Sequence, residues 1–265
     1  MKLSALKAAL GGRNMFVWQL KPILAVDGGP EGMAEKAAKA KCSAVWIKVA
    51  VGQQEYDKNI PLLPKVLAAM EKAGIKVWGW HEPRCATLAA AEAEADIVVR
   101  IADRHKLAGI LMDAEIASGG DFFQGGAQEA ELYAERLQTS LHAQGLPLAL
   151  CSHDIPQNFP TFPFTSFAKF ADANVPQVYY GGSPSVSNRL DRALKANADI
   201  PLPFVPVGAG WVGSGGGCAS DSACAERATI FMQLVKEHGF IGYSFWHWAG
   251  APLKLWNALM TNRLT

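Results

Sequence analysis

Two carboxylates stand two residues apart at the end of an apolar run, in Gly109-Ile110-Leu111-Met112-Asp113-Ala114-Glu115-Ile116. A short apolar run of this kind reads as a strand buried on both faces, as in parallel sheets. Side chains alternate along a strand, so Leu111, Asp113 and Glu115 share one face. Acids in such a place are costly unless they are paired or used. Cleaving a glycosidic bond needs a proton donor for the leaving oxygen and a second group for the developing cation. A pair of carboxyl groups in different environments divides those roles. Glu115 and Asp113 are therefore the candidate catalytic residues. The plainer reading makes Asp113 a helix cap and Glu115 a solvated side chain. Cα atoms two apart on a strand are roughly 6.5 Å from each other. That spacing leaves the carboxyl separation open, and with it retention or inversion.

The pair needs a frame. Eight segments read as buried strands: 15–20, 44–50, 76–80, 109–115, 147–152, 177–180, 203–207 and 239–246. Helical periodicity fills stretches between them, at 30–41, 62–73, 86–105, 128–144 and 223–238. Alternation of strand and helix predicts an α/β fold with a parallel sheet. Eight repeats in 265 residues predict one closed (β/α)8 barrel, the TIM barrel, spanning 1–265 as a single domain. Leu3, Leu6 and Leu10 lie at helical spacing before Gly11, so 1–12 holds a short helix expected to cap the barrel floor. The Gly/Ser stretch 213–222 reads as a flexible loop after the seventh strand.

In a parallel barrel the strand C-termini share one rim, where active sites lie. The side chains predicted there are Trp18 from strand one and Lys48 from strand two. Strand three gives Trp80, His81 and Glu82, strand four Asp113 and Glu115, and strand five His153. Strand six gives Gln177 and Tyr179, the next loop Trp211, and strand eight Trp246 and Trp248. Tryptophan faces suit the apolar faces of sugar rings, and the polar groups between them suit hydroxyls. A scattered core tryptophan is the alternative for any one of these, since indole N–H groups find partners in ordinary cores.

Other chemistries fit less well. The chain lacks a phosphate-binding loop, a dinucleotide fingerprint and a Gly-x-Ser-x-Gly elbow, and no cofactor is expected. Ser152-His153-Asp154 are adjacent, the wrong geometry for a triad. A metal hydrolase using His81, His153 and His247 lacks the usual ligand spacings, so no metal is expected. A net charge of +1 offers no attraction to nucleic acid or an anionic membrane. No window of about 18 apolar residues predicts membrane insertion. The N-terminus does not read as a signal peptide, because Lys7 interrupts its apolar stretch. Five cysteines argue against a disulfide framework; Cys42 and Cys151 read as core thiols, while Cys218 and Cys224 could bridge under oxidising conditions.

Several stretches carry a resemblance. Ala44-Val45-Trp46-Ile47-Lys48-Val49-Ala50-Val51-Gly52 resembles the second strand of the family 25 glycoside hydrolases, the Chalaropsis-type lysozymes of bacteria and phages. Ala73-Gly74-Ile75-Lys76-Val77-Trp78-Gly79-Trp80-His81 resembles their third strand, and Leu111-Met112-Asp113-Ala114-Glu115 their Asp-x-Glu strand. Gln177-Val178-Tyr179-Tyr180-Gly181 and Phe245-Trp246-His247-Trp248 fall where that family has its sixth and eighth strands. The resemblance implies Glu115 as general acid, with Asp113 as charge partner or as the group orienting an acetamido substituent. Two acids of that family have no counterpart: the first strand, 15–20, carries none, and Ala50-Val51-Gly52 replaces an Ala-Thr-Glu-Gly. Glu55, Glu82 and Asp154 are candidates to supply the missing carboxylate. Family 18 glycosidases also end a strand in Asp-x-Glu, but with aspartates upstream where this chain has Gly109 and Leu111.

Together these observations predict a divergent, lysozyme-like glycosidase cleaving β-linked N-acetylated polysaccharide, with peptidoglycan foremost and an endolysin or other cell-wall role. The alternatives are a chitinase-like glycosidase and a barrel that binds glycan without cutting it. A monomer is expected, made in the cytoplasm and reaching the wall through a holin or a secretion system.

Overall fold

The computed structural model describes residues 2–116 and 122–262. Eight parallel strands form the barrel: β1 Gly12–Val17, β2 Cys42–Val51, β3 Lys76–Glu82, β4 Ile110–Asp113, β5 Leu148–His153, β6 Ala173–Val178, β7 Val207–Ala209 and β8 Gly242–Trp246. Each pairs with the next, and β1 pairs with both β2 and β8, so the sheet closes. A two-residue strand, Gln54–Glu55, folds back antiparallel on the end of β2. Helices follow the strands on the outside, and the fold is the (β/α)8 barrel that the alternation predicts.

Side-chain parity sorts the core into two layers. Val45, Ile47 and Val49 of β2 face the helices, in the large outer cluster. Trp46 of β2, Phe16 of β1 and Trp78 and Trp80 of β3 turn into the lumen. Three indoles on one side leave little room opposite, and the facing strands supply Ala149, Cys151, Ala173 and Val175. Volume is thus conserved across the barrel, as close packing requires. Gly109 belongs to the same economy of space, since a Cβ there would lie 2.7 Å from the Trp78 ring.

The helix Leu3–Leu10 closes the floor. Leu6 and Leu10 enter the lumen cluster and are fully or nearly fully buried. Polar ties fix the plug: Trp78 Nε1 donates to the Ala9 carbonyl at 3.2 Å and Asn14 Nδ2 to the Leu10 carbonyl at 3.1 Å.

Three strands differ most from their sequence readings. The first lies three residues earlier than 15–20, over Gly12–Val17. The sixth lies earlier, over Ala173–Val178, because the chain tolerates Pro176 inside it. The seventh is continuous only over Val207–Ala209, with an isolated bridge at Phe204. Pro201, Pro203 and Pro206 have no N–H to give to a ladder, which breaks the earlier part. Helices at Leu20–Asp27, Val186–Ala196 and Leu253–Thr261 complete the outer ring without having been read from the sequence.

The plug makes a quantitative expectation. Leu10→Ala should cost about 2–5 kcal/mol, the usual penalty for emptying a buried leucine site. Leu3→Ala, at a residue 59% exposed, should stay within about 0.5 kcal/mol. Urea denaturation of both variants checks the contrast.

Candidate active site

A cleft of about 300 Å³ opens at the C-terminal mouth of the barrel. Asp113, Glu115, Lys48, Glu82 and Gln177 line it, with Trp18, Trp80, Tyr179, Trp211 and Trp246 around them. Most of the rim read from the sequence therefore meets in one place.

Asp113 is the last residue of β4, and Glu115 follows just beyond the strand end. Gln177 of β6 joins them. Its Nε2 donates to Glu115 Oε1 at 2.6 Å and to Asp113 Oδ1 at 3.4 Å, while lying 3.8 Å from the Cys151 sulfur. Burial pushes the Asp113 carboxyl well above the usual carboxylate range, and the neighbouring Glu115 pushes it further. A hydrogen bond from the Cys151 thiol opposes this. Burial also raises Glu115, against the Gln177 amide, which favours its charged form. The mouth thus holds two carboxyl groups that keep protons at unusually high pH, bridged by one neutral donor.

Lys48 and Glu82 form the second polar group. Lys48 Nζ lies 2.6 Å from Glu82 Oε2, and Arg84 Nη2 lies 2.9 Å from Glu82 Oε1. The Lys48 ammonium sits over the rings of Trp80 and Tyr56, at 4.8 and 5.1 Å from their centroids. A register shift in β2 between Lys48 and Ala50 follows directly. Of the carboxylates considered for the missing position, Glu82 alone lines the cleft. Glu55 pairs outside with Arg104, and Asp154 is held behind the rim by Arg189, whose Nη2 is 2.6 Å from Oδ1.

The aromatic wall is built from both sides. Trp246 meets Phe16 and Trp80 edge-on, with centroids 5.4 and 5.8 Å away. Trp211 meets Tyr179 edge-on at 4.9 Å. Trp18 is 44% exposed at the lip. The glycine-rich stretch after β7, expected as a flexible loop, is instead folded tightly against Trp211 and Tyr179. Trp211 Nε1 donates to the Ser214 carbonyl at 3.1 Å. A Cβ on Gly217 would come within 2.5 Å of Trp211 Nε1, and one on Gly216, at φ +92°, within 2.7 Å of the Tyr179 Cβ. Cys218 and Cys224 are joined by a disulfide that ties this lip to the following helix, Asp221–Glu237.

Three residues expected at the cleft lie elsewhere. His81 alternates with Trp80 and Glu82 and so faces outward; it is buried between the Tyr133 hydroxyl at 2.6 Å and the Gly52 carbonyl at 3.0 Å. Burial lowers its pKa to about 3, so it is neutral. Trp248 sits on a turn behind β8, donating to Asp27 Oδ2 at 2.7 Å and packing on Trp256 at 4.6 Å. His153 stacks on Phe159 at 3.6 Å, and its Nε2 accepts from the Ile116 N–H at 3.3 Å. It thereby holds the backbone beside Glu115 without lining the cleft. Phe122 and Gly215 line the cleft unforeseen; neither sits in a periodic element, and no signal marks them. Among the described residues, no group of three or more His, Cys, Asp or Glu side chains is placed to hold a metal ion.

No family model and no curated protein matches the sequence. The structure is similar to the spore cortex-lytic enzyme SleL of Bacillus megaterium QM B1551, with a TM-score of 0.65 at 12% identity over 94% of this chain and 73% of that one. It is also similar to a GH18 chitinase from Pseudoalteromonas aurantia, TM-score 0.63 at 13% identity over 92% and 97% of the two chains. A GH18 chitinase from Cycas revoluta in complex with (GlcNAc)3 superposes with a TM-score of 0.64 at 10% identity over 94% and 97%. At these identities the likeness establishes the barrel fold. The three are chitinases and a cortex-lytic enzyme, not family 25 lysozymes.

Folded Asp113 keeps its proton at pH values where the unfolded chain releases it. Stability therefore falls as pH rises from the ordinary carboxyl range, about 4, through the raised range, and the full penalty applies above it. Asp113→Asn removes that penalty. It should raise Tm near neutral pH by at least about 2 °C, the shift that about 1 kcal/mol gives in a domain of this size. The gain should shrink as pH approaches about 4. Calorimetry across that pH range checks it; a variant melting below the wild type at neutral pH contradicts the burial account.

Proposed function

We propose that the protein is a glycoside hydrolase acting on β-linked polysaccharide with N-acetylated sugars, peptidoglycan foremost. The observation that carries this reading is the Gln177 amide joining Asp113 and Glu115 at the centre of a tryptophan-lined cleft. Glu115, nearer the opening and less buried than Asp113, protonates the leaving glycosidic oxygen. Its raised pKa keeps the acid form available at higher pH than for an exposed glutamate. Asp113 orients the substrate's acetamido group or stabilises the cation that forms as the bond breaks. Gln177 holds both carboxyls in register, and Trp18, Trp211, Tyr179 and Trp246 pack against sugar faces. The names of the structural neighbours support the substrate class: one is a cortex-lytic enzyme, and one binds (GlcNAc)3. The GH18 neighbours favour chitin as the second substrate to test. The Cys218–Cys224 disulfide supports action outside a reducing compartment, so release to the wall by a holin or a secretion system belongs to the same proposal.

Release of reducing ends from purified peptidoglycan and from chitin tests the reading. Wild type should turn over at least one polymer, and Glu115→Gln should lower kcat by about 10²–10⁴-fold, the usual worth of a general acid. The rate should fall as pH rises through the raised Glu115 pKa, because the acid form is lost. Full activity in Glu115→Gln would reject the assignment. No turnover, with protein still pelleting on a polymer, would replace it with a barrel that binds glycan only.

A further inference from the structure

Beyond the carboxyl pair, the edge of the cleft carries an ion cluster that bond cleavage does not use. Glu82 is shared by two cations, with Lys48 on Oε2 and Arg84 on Oε1. Both Glu82 oxygens are engaged, and Glu94, behind Arg84, is the other carboxyl whose charge acts on that guanidinium. Arg84 is the more open of the two cations: its side chain is 28% exposed against 7% for Lys48.

Arg84 is also held in place. Its backbone N–H donates to Glu94 Oε2 at 2.8 Å, and its carbonyl accepts from the Gln124 N–H at 2.8 Å. Its stem crosses Gly52, where a Cβ would come 3.0 Å from the Arg84 Cγ at φ +50°. Glycine lets the guanidinium lie there. On its far side Arg84 lines a second groove, together with Gln53 and Gln54, next to the cleft that Glu82 lines. Glu94 borders this groove too, but its oxygens accept the N–H groups of Arg84 and Cys85. The exposed part of the Arg84 guanidinium, at the junction of two grooves, matches a carboxylate, which such a group grips with parallel hydrogen bonds.

We propose that Lys48, Glu82 and Arg84 form the specificity element of the cleft, with Arg84 taking a carboxylate carried by the polymer. This rests on the glycosidase reading and deepens it. Acidic N-acetylated glycan is the preferred substrate, and neutral chitin the poorer one. In peptidoglycan such a carboxylate comes from the lactyl ether of the sugar or from the attached peptide, and the two sources share this chemistry.

The test compares kcat/KM on four polymers: glycan strands freed of peptide, the same strands with their carboxylates amidated, strands still carrying peptide, and chitin oligomers. Wild type should prefer a carboxylate-bearing polymer over the amidated strands by at least about tenfold, the effect of one charge-assisted contact. The preference should shrink as ionic strength rises. A preference for peptide-free strands assigns the lactyl carboxylate, and one for peptide-bearing strands assigns the peptide. Arg84→Met should abolish the preference, and Arg84→Lys should restore part of it. The amidation arm uses wild type alone, so it decides the matter even where Arg84→Met folds poorly. Turnover of both carboxylate-bearing polymers no faster than the amidated strands overturns the proposal and leaves the glycosidase reading intact. Absence of turnover on every polymer defeats the glycosidase reading; equilibrium binding to the same soluble strands then decides the carboxylate site by the same ratio.

Discussion

Two carboxyl groups buried side by side repel each other once ionised, and the surroundings of Asp113 and Glu115 are arranged around that cost. One amide, Gln177, reaches both, and a thiol, Cys151, reaches Asp113. The nearest cation, Lys48, is engaged by Glu82, so its influence on the pair is moderated. Neutral donors and a compensated lysine leave the carboxyls free to hold a proton. A directly paired arginine would hold them ionised and unfit to donate one. The barrel contributes by delivering these groups from five strands, β2 to β6, whose register is fixed by the closed ladder.

Much of this was legible in the chain because a strand's period of two is simple. Parity put Asp113 and Glu115 on one face, and the apolar run before them marked a buried strand. Applied strictly, the same parity also separates His81 from Trp80 and Glu82, yet a rim read as a set of polar residues near strand ends includes it. Trp248 and His153 fail for a different reason. They lie at or beyond the last residues of β8 and β5, where backbone turns rather than alternation decide direction. The seventh strand was blurred by three prolines, and the pairing of Lys48 with Glu82 needed the β2–β3 register, which no local pattern encodes.

The family resemblance and the fold point in related directions. The Asp-x-Glu strand end is shared by families 25 and 18, and the neighbours found by structure include GH18 chitinases. This chain has two carboxyls at the end of β4, and Gly109 and Leu111 stand upstream of them. Those positions are explained by packing. Gly109 lies against the Trp78 ring, and Leu111 joins the lumen cluster beside the indoles. Tryptophan in the lumen and acids further down β4 compete for the same volume, and here the tryptophans occupy it.

The lip after β7 constrains how this protein can change over generations. A methyl group on Gly181 would overlap the Gly217 carbonyl, at 1.8 Å, and Gly216 and Gly217 are equally hemmed in by Tyr179 and Trp211. Two separate loops are thus locked together through positions that accept no side chain. Altering the shape of that wall demands concerted replacement in both loops, a step that single mutations do not reach. The lip beyond β1, where Trp18 stands half in solvent, carries no such lock. The mouth of the barrel has an open route to reshaping on the Trp18 side and a closed one on the Trp211 side.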